Sequence, residues 1–598
     1  MRISRVHIEN FRNFKSVNIE LGEHAVIVGE NKIGKSNFLY ALRLVLDPSL
    51  PDTARQLQRS DFWDGLGEIT KEHKIIISVD LTDFEDNENL LAILAEHIVS
   101  PDPLTARLTY IFQPLSTLDR DPVSDEEFEF LTYGGDRPEN HFGYEVRSRM
   151  PLTLIPALRD AERDLSVWSR SPLKPLLDEH AGRINKDTLR TIAEEMQATT
   201  DKLRLFPEIK AVVDKINTRL EEMVGSAFTV HTALGFSPAD PNRLIRALQL
   251  LIDDKERNIR EASLGTANLL YFALKTLELS QLVEKNSRDH TFLCIEEPEA
   301  HLHPPLQRLI YRHFLRSRKH QVSGSHETVP SALSQSILLT THSPHIVSVA
   351  PLRSLVLLKR ADDGLSTEAV STAAIPLNDE EVEDMERYLD VTRGELLFAK
   401  KVLLVEGDAE EYLLPVLAKK NGFDLEESGI FICSVRGTNF APYVKLLKQL
   451  RIPFAVLTDM DPRPGKDPLG PNRILKLLKI IMPESLYKKL GNDELLRKAP
   501  DYGLFLNDYT FEVDLFKSNH HNSMCKALQE LTENTEAINR ALQWSDHPET
   551  LNEIQFLKDI EAIGKARFAQ RYASILQSFK GKECPKYILE AIQYVANK

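Results

Sequence analysis

The run from Gly29 to Ser36 constrains the fold more than any other feature, because it fits G-x-x-x-x-G-K-S. An apolar, strand-like run (Ala25–Val28) precedes it, and a segment with helical character (37–46) follows. Strand, glycine-rich loop and helix in that order belong to an α/β sheet that binds a nucleoside triphosphate. Gly29 and Gly34 let backbone N–H groups curl around phosphates at the helix N-terminus, with Asn31 in the same loop. Lys35 is placed to reach the β- and γ-phosphates, and the Ser36 hydroxyl to ligate Mg²⁺.

Three further motifs follow the loop. Phe292–Ile295 reads as a buried strand ending in Glu296, Glu297, Pro298 and Glu299. A carboxylate at such a strand end can hold the magnesium shell, and the next can polarise water, so Glu296 takes the first role and Glu297 the second. Ile337–Thr341 ends at His342, which can donate to a γ-phosphate; in isolation it reads equally as a helix cap. Ser263 and Gly265, before an apolar helix, resemble the signature loop that closes over nucleotide held by a second subunit, although Leu264 and Ala267 depart from the usual Gly and Gln. With Ile8–Phe14, these motifs make the chain similar to ATPase heads of the ABC/SMC type. That resemblance implies ATP as ligand and at least a dimer.

The 598 residues are too many for one ordinary core. The expected divisions are an ATPase head in two parts (1–157 and 256–375), an inserted helical unit (158–255), a connector (376–398) and a second α/β unit (399–598). Helical periodicity at 158–165, 173–179, 187–203 and 208–224 marks the insert, and the acidic run Asp379–Glu386 marks the connector. No run of eighteen apolar residues occurs, so no membrane span is expected. The N-terminus alternates like a strand and not like a leader peptide. The cysteines (Cys294, Cys433, Cys525 and Cys584) show no metal-ligand spacing, and Cys294 and Cys433 sit in apolar runs as buried thiols. Together these point to a cytoplasmic protein. A formal net charge of −15 disfavours nucleic-acid binding in general but leaves room for local basic patches. His301 and His303 read as packing residues of a turn, and His520 and His521 as a solvated loop.

The second unit opens with the strand Val402–Val405, which ends at Glu406, and Glu410 lies one helical turn on. A second apolar strand, Ile452–Thr458, ends at Asp459 and Asp461. Ligand sites in open parallel sheets lie beyond the strands' carboxyl ends, so adjacency of these strands would bring Glu406, Asp459 and Asp461 together. Crowded carboxylates repel one another unless hard cations such as Mg²⁺ or Mn²⁺ intervene.

A strand-bounded Glu followed by Asp-x-Asp, with Arg436–Phe440 between them, resembles a Toprim domain. An SMC-like head followed by Toprim is the arrangement of the OLD (overcoming lysogenization defect) family, which includes the nuclease subunit of Gabija anti-phage systems. That resemblance implies a helical dimerisation insert, two-metal cleavage of DNA with ions about 4 Å apart and a homodimer or higher homo-oligomer, and it leaves room for a helicase-like partner. It also points to Thr510–Leu515 as an acidic strand completing the metal site, through Glu512 or Asp514, and to Lys565 beside the scissile phosphate. Nine basic residues, Arg463, Lys466, Arg473, Lys476, Lys479, Lys488, Lys489, Arg497 and Lys498, form a cluster suited to the DNA backbone. Topoisomerase or primase chemistry, a stand-alone ABC subunit, and a non-catalytic RecF-like clamp are the rival readings.

Overall fold

The alternation at the N-terminus becomes β1 (Arg2–Phe11), which buries Ile3, Val6, Ile8 and Phe11. It is followed by β2 (Phe14–Glu20), β3 (Ala25–Val28), β4 (Ile75–Thr82), β5 (Ile98–Pro101), β6 (Leu104–Pro114), β7 (Phe128–Gly134) and β8 (Leu152–Ile155). Six of these form an antiparallel sheet, ordered β2-β1-β4-β6-β5, with β7 also paired to β6. The computed structural model describes residues 1–157, 161–167, 171–181, 184–202, 206–224, 245–246, 248, 250–252, 257–315, 335–463, 465–578 and 584–598.

The chain divides into two compact units, one of Met1–Ile155, His290–Glu299 and Pro304–Lys598, the other of Pro156–Asp289 and Ala300–His303. The second unit is largely helical: Ala161–Ser166, Leu173–Ala181, Lys186–Asp201, Pro207–Val224 and the long Leu264–Glu284. It also holds the two-residue strands β9 (Leu251–Ile252) and β10 (Arg257–Asn258). The expected helical insert includes 158–160, 203–205 and 225–244, which lie outside the described residues.

In the first unit, β11 (Thr291–Glu296), β12 (Gln335–Thr341), β13 (Leu355–Arg360) and β14 (Thr367–Ser371) join β3 and β8 in a second sheet, ordered β14-β13-β3-β12-β11-β8. All its pairings are parallel except β13 with β14. Segments remote in the chain thus end at one sheet edge: the loop after Val28, the acids after Ile295 and the histidine after Thr341. A single apolar core joins the two sheets, with Phe38, Leu42 and Val45 of the Lys35–Leu46 helix packed among Val6, Ile8, Ile27, Phe292 and Leu338.

The C-terminal sheet is wholly parallel: β15 (Lys401–Val405), β16 (Ile430–Ser434), β17 (Phe454–Thr458) and β18 (Leu504–Leu506) in the order β16-β15-β17-β18. Its strands read as continuous apolar runs because both faces are covered. The Asp408–Lys420 helix packs against Lys565–Ser578 through Leu413, Leu414 and Leu417 on one side and Phe568, Tyr572 and Leu576 on the other. Thr510–Leu515 departs from expectation: Phe511–Leu515 is a short helix, with all five residues buried, and not a strand. The alternation of Phe511, Val513 and Leu515 imitates a strand, yet Thr510 opens a helical turn in which apolar and acidic side chains alike are enclosed. His520 also differs. It is buried and hydrogen-bonded to the Tyr572 hydroxyl, while His521 begins the next helix.

Leu404, on the central strand β15, has no solvent exposure. Leu404→Ala is expected to cost about 2–5 kcal/mol of stability, read by denaturant titration. A cost well under 1 kcal/mol would show that this strand does not anchor the C-terminal core.

Candidate functional site

The phosphate loop is held from below by the turn between β1 and β2. The Asn13 amide donates to the Ile33 carbonyl (3.0 Å), and the Asn37 amide donates to Asn13 Oδ1 (2.6 Å). Gly34 has φ 105°, and a Cβ there would lie 2.1 Å from the Asn13 amide nitrogen. Only glycine therefore fits between this turn and the helix start. Lys35 is buried and donates to the carbonyls of Gly29 (2.9 Å) and Glu30 (3.1 Å). Burial pushes its ammonium below the usual lysine range, against the opposing pull of Glu297 and Glu299. Asn31 and Ser36 are exposed beside it.

At the ends of β11 and β12, Glu296, Glu297 and His342 lie on the same sheet edge. Glu297 adopts φ 39°, its N–H bonded to the Thr340 carbonyl (3.0 Å). His342 Nδ1 stands 3.7 Å from Glu297 and 3.3 Å from Glu299. Glu299, to which the motifs assign no role, ties this edge together. Its Oε1 accepts from the Thr341 hydroxyl and the His342 N–H, both at 2.8 Å, while its buried Oε2 has no hydrogen-bond partner among the described residues. Its only signal in the chain is that of a third acid in Glu296–Glu299.

Ser263 and Gly265 belong to the second unit. Ser263 caps the Leu264–Glu284 helix by accepting from the Thr266 N–H (3.2 Å), and a Cβ on Gly265 would lie 2.7 Å from the His301 carbonyl.

In the C-terminal sheet β15 and β17 are parallel neighbours, so Glu406 and Asp459 leave the sheet side by side. Glu406 Oε1 accepts from the Thr458 hydroxyl (2.6 Å), the Asp459 N–H (2.8 Å) and Arg473. Asp459 Oδ1 accepts from the Asn507 amide and the Phe511 N–H (3.1 Å). Asp461 Oδ2 accepts from Arg473 (2.6 Å). Glu512, 3% exposed, meets Lys565 Nζ through Oε1 at 3.5 Å, and its buried Oε2 has no partner among the described residues. In each of these four carboxylates, one oxygen is engaged by protein donors and the other by none among the described residues. Asp514 is different: its Oδ2 accepts from the N–H groups of Asp508 (2.9 Å) and Tyr509 (3.3 Å), bracing the loop and not facing the cluster. The loop after β16 is zipped to the same edge by the Gly437 N–H, which donates to the Glu406 carbonyl (2.8 Å).

Crowding shows in the proton affinities. Burial, then Glu512 and Glu406, push the Glu410 carboxyl up to about 8. Burial and the fields of Glu406, Glu410, Glu512 and Asp461 hold Asp459 well above the usual carboxylate range. Glu406 is raised by burial despite its three donors. Burial works against the Lys565 ammonium, but Glu512, Asp459 and Glu410 outweigh it and raise its pKa. Among the described residues no three His, Cys, Asp or Glu side chains already converge as a finished metal cage. The arrangement is an open one, whose hard, donor-free oxygens and orphaned Glu512 Oε2 suit Mg²⁺ or Mn²⁺.

The expected basic cluster needs one correction. Arg473 does not join a surface patch, because its side chain is 11% exposed and turned into the carboxylates. Arg473, Asn507 and Thr458, which shape the acids, carry no motif; only their tertiary neighbours reveal them.

Fold and site together define a P-loop ATPase joined to a Toprim nuclease. The model of an AAA ATPase domain matches residues 1–140 and 153–347, more than half of the chain. That of the overcoming lysogenization defect protein-like TOPRIM domain matches 397–461. The chain belongs to the OLD family of nucleases. It is 25% identical to an Endonuclease GajA of Bacillus cereus (strain VD045) across 90% of this chain and 92% of that protein. It is 24% identical to the OLD nuclease of Thermus scotoductus, across 77% and 82% respectively. The C-terminal region of the Burkholderia pseudomallei OLD protein is 37% identical, covering 33% of this chain and 98% of that structure, with a TM-score of 0.32. Among the described residues no helix is long and apolar enough to cross a membrane. Cys294, Cys433 and Cys525 are buried free thiols, and Cys584 is partly exposed.

A carboxyl whose folded pKa is raised contributes stability that is intact below the ordinary carboxylate range and lost as pH rises through the folded value. For Glu410 that window runs up to about 8. Without divalent metal, Glu410→Gln should therefore raise the melting temperature at pH 9 and leave it nearly unchanged at pH 4. Equal shifts at both pH values would mean that Glu410 is not the strained acid.

Proposed function

We propose that this chain is an ATP-regulated, divalent-metal-dependent DNA endonuclease of anti-phage defence. The observation that carries the nuclease chemistry is the set of half-engaged carboxylates beside Lys565. In this reading Glu406, Asp459, Asp461 and Glu512, with Glu410 behind them, hold Mg²⁺ or Mn²⁺. Such ions supply Lewis-acid stabilisation and a water of lowered pKa. Asn507, Thr458 and the backbone N–H groups hold the carboxylates in place. Lys565, kept protonated by its acidic neighbours, offsets charge developing on the scissile phosphate.

In the head, Lys35 would exchange its loop carbonyls for ATP phosphates. Ser36 and Glu296 would hold Mg²⁺, Glu297 would polarise water and His342 would report the γ-phosphate. Ser263 and Gly265 would act on ATP of a second copy, with the insert at 158–255 dimerising a cytoplasmic homodimer or higher homo-oligomer that leaves room for a helicase-like partner. The defence role rests on family resemblance.

Support for ATP control is a continuous chain of contacts. The Pro344–Val347 helix, directly after His342, packs on Val391–Gly394. There Arg393 donates to the Ser434 carbonyl at the end of β16 (3.1 Å), three residues before Gly437, whose N–H reaches the Glu406 carbonyl. Glu381 on the Asp379–Tyr388 helix pairs with Lys445 (2.7 Å) and fixes the connector to the Ala441–Gln449 helix of the C-terminal part. Such a path can carry coupling if the His342 edge has two arrangements.

Supercoiled and linear DNA incubated with Mg²⁺ or Mn²⁺, with and without ATP, test the proposal. Nicking or linearisation is expected from the native protein and loss of it from Glu406→Ala and Asp459→Ala. Lys35→Ala should abolish ATP hydrolysis and change the response of cleavage to ATP. Intact ATP hydrolysis with no cleavage in any condition would favour the non-catalytic clamp.

Lys476, Lys479 and Lys489, which follow Asp459 and Asp461 in the chain, are exposed. Their joint reversal to Glu should weaken DNA binding and flatten the dependence of log K on log salt by about 0.9 for each phosphate no longer neutralised. Unchanged affinity would remove them from the DNA path.

A further inference from the structure

Arg473 lies one turn into the Gly470–Ile481 helix, whose start is docked under the Asp459–Met460 backbone. The Gly470 N–H donates to the Met460 carbonyl (3.0 Å) and the Leu469 N–H to the Asp461 carbonyl (3.3 Å). A Cβ on Gly470 would stand 2.4 Å from the Asp459 carbonyl oxygen, so this approach requires glycine. Ile474, Leu477 and Leu478 are buried on the same helix and fix its rotation. The side chain one turn on is thereby delivered into the acidic cluster.

The guanidinium spans two carboxylates from different parts of the strand end. Nη2 donates to Asp461 Oδ2 (2.6 Å), and Nη1 reaches Glu406 Oε1, Thr458 Oγ1 and the Asp459 carbonyl (3.3 Å). On Glu406, Arg473 binds the oxygen already held by the Thr458 hydroxyl and the Asp459 N–H, and it reaches the backbone as well; on Asp461 it takes Oδ2 alone. Its planar fork presents several N–H donors in a fixed geometry, so one side chain can hold both acids at once.

We infer that Arg473 is a positioning residue of the metal centre, fixing Glu406 and Asp461 together so that Glu406 Oε2 and Asp461 Oδ1 are left for a divalent cation. This rests on the metal-dependent reading above. Among the described residues, the five carboxylates Glu406, Glu410, Asp459, Asp461 and Glu512 meet two cations, Arg473 and Lys565, so negative charge remains for the ion after Arg473 has taken its share. Arginine thus lowers the repulsion that would otherwise splay Glu406 from Asp461, without occupying their free oxygens.

Titration of the full-length protein with Mn²⁺ in the absence of nucleotide, with free Mn²⁺ read by electron paramagnetic resonance, tests this. Asp459→Ala defines the binding that belongs to the cluster. Arg473→Gln is expected to weaken that binding about 10–100-fold, in the range for outer-shell partners of metal ligands. Arg473→Lys, which keeps the charge but cannot bridge both acids, should recover part of it, and it provides the comparison if Arg473→Gln does not fold. Equal or tighter Mn²⁺ binding by either variant would overturn the inference and make Arg473 a competitor for the site or a purely structural residue. No Asp459-dependent binding in the native protein would instead overturn the metal-dependent reading itself.

Discussion

Mutual repulsion of acids at the carboxyl end of one parallel sheet is the constraint around which the C-terminal part of the chain is built. Glu406, Glu410, Asp459, Asp461 and Glu512 are brought close enough that burial and the neighbouring charges raise the proton affinity of Glu406, Glu410 and Asp459. Such a cluster is costly in a bare protein. The chain lowers that cost with Arg473, Lys565 and donors from Asn507, Thr458 and backbone N–H groups. What remains is an unmet demand for cations, which a hydrolytic phosphodiester site can use.

The same architecture serves the head with the opposite charge. There a helix N-terminus and Lys35 present positive potential to an anion at the edge of β3, and the acids of β11 stand beside it. Both sites lie beyond the carboxyl ends of parallel strands, where side chains from remote parts of the chain meet without steric conflict from the sheet. The Arg393 link from the connector to β16 runs directly between these two edges. A change at His342 and a change at Glu406 are therefore separated by a few packed elements and not by a flexible tether.

Much of this is legible in the residues. The glycine spacing from Gly29 to Ser36, the apolar runs ending in Glu296, His342, Glu406 and Asp459, and the family resemblance they support lead to the P-loop and Toprim folds found here. These signals are local: a buried parallel strand must be apolar on both faces, and a phosphate loop must contain glycine. Thr510–Leu515 is deceptive because alternating apolar and acidic residues suit a strand, whereas a fully enclosed helical turn hides the usual 3.6-residue pattern. Arg473 deceives for a related reason, since charge in a sequence looks solvated unless its partners are known.

The sequence by itself determined which strands end in chemistry, because burial and backbone geometry impose residue types at fixed local spacing. Tertiary structure alone decided which of those side chains meet. It paired β15 with β17, packed the helix of Lys565 against that of Glu410, and turned Glu512 inward while Asp514 braced its own loop. It also placed Arg473 among the acids through a close approach at Gly470. Hydrogen bonds and Coulomb fields act over a few ångströms in space, and separation along the chain carries no record of that distance.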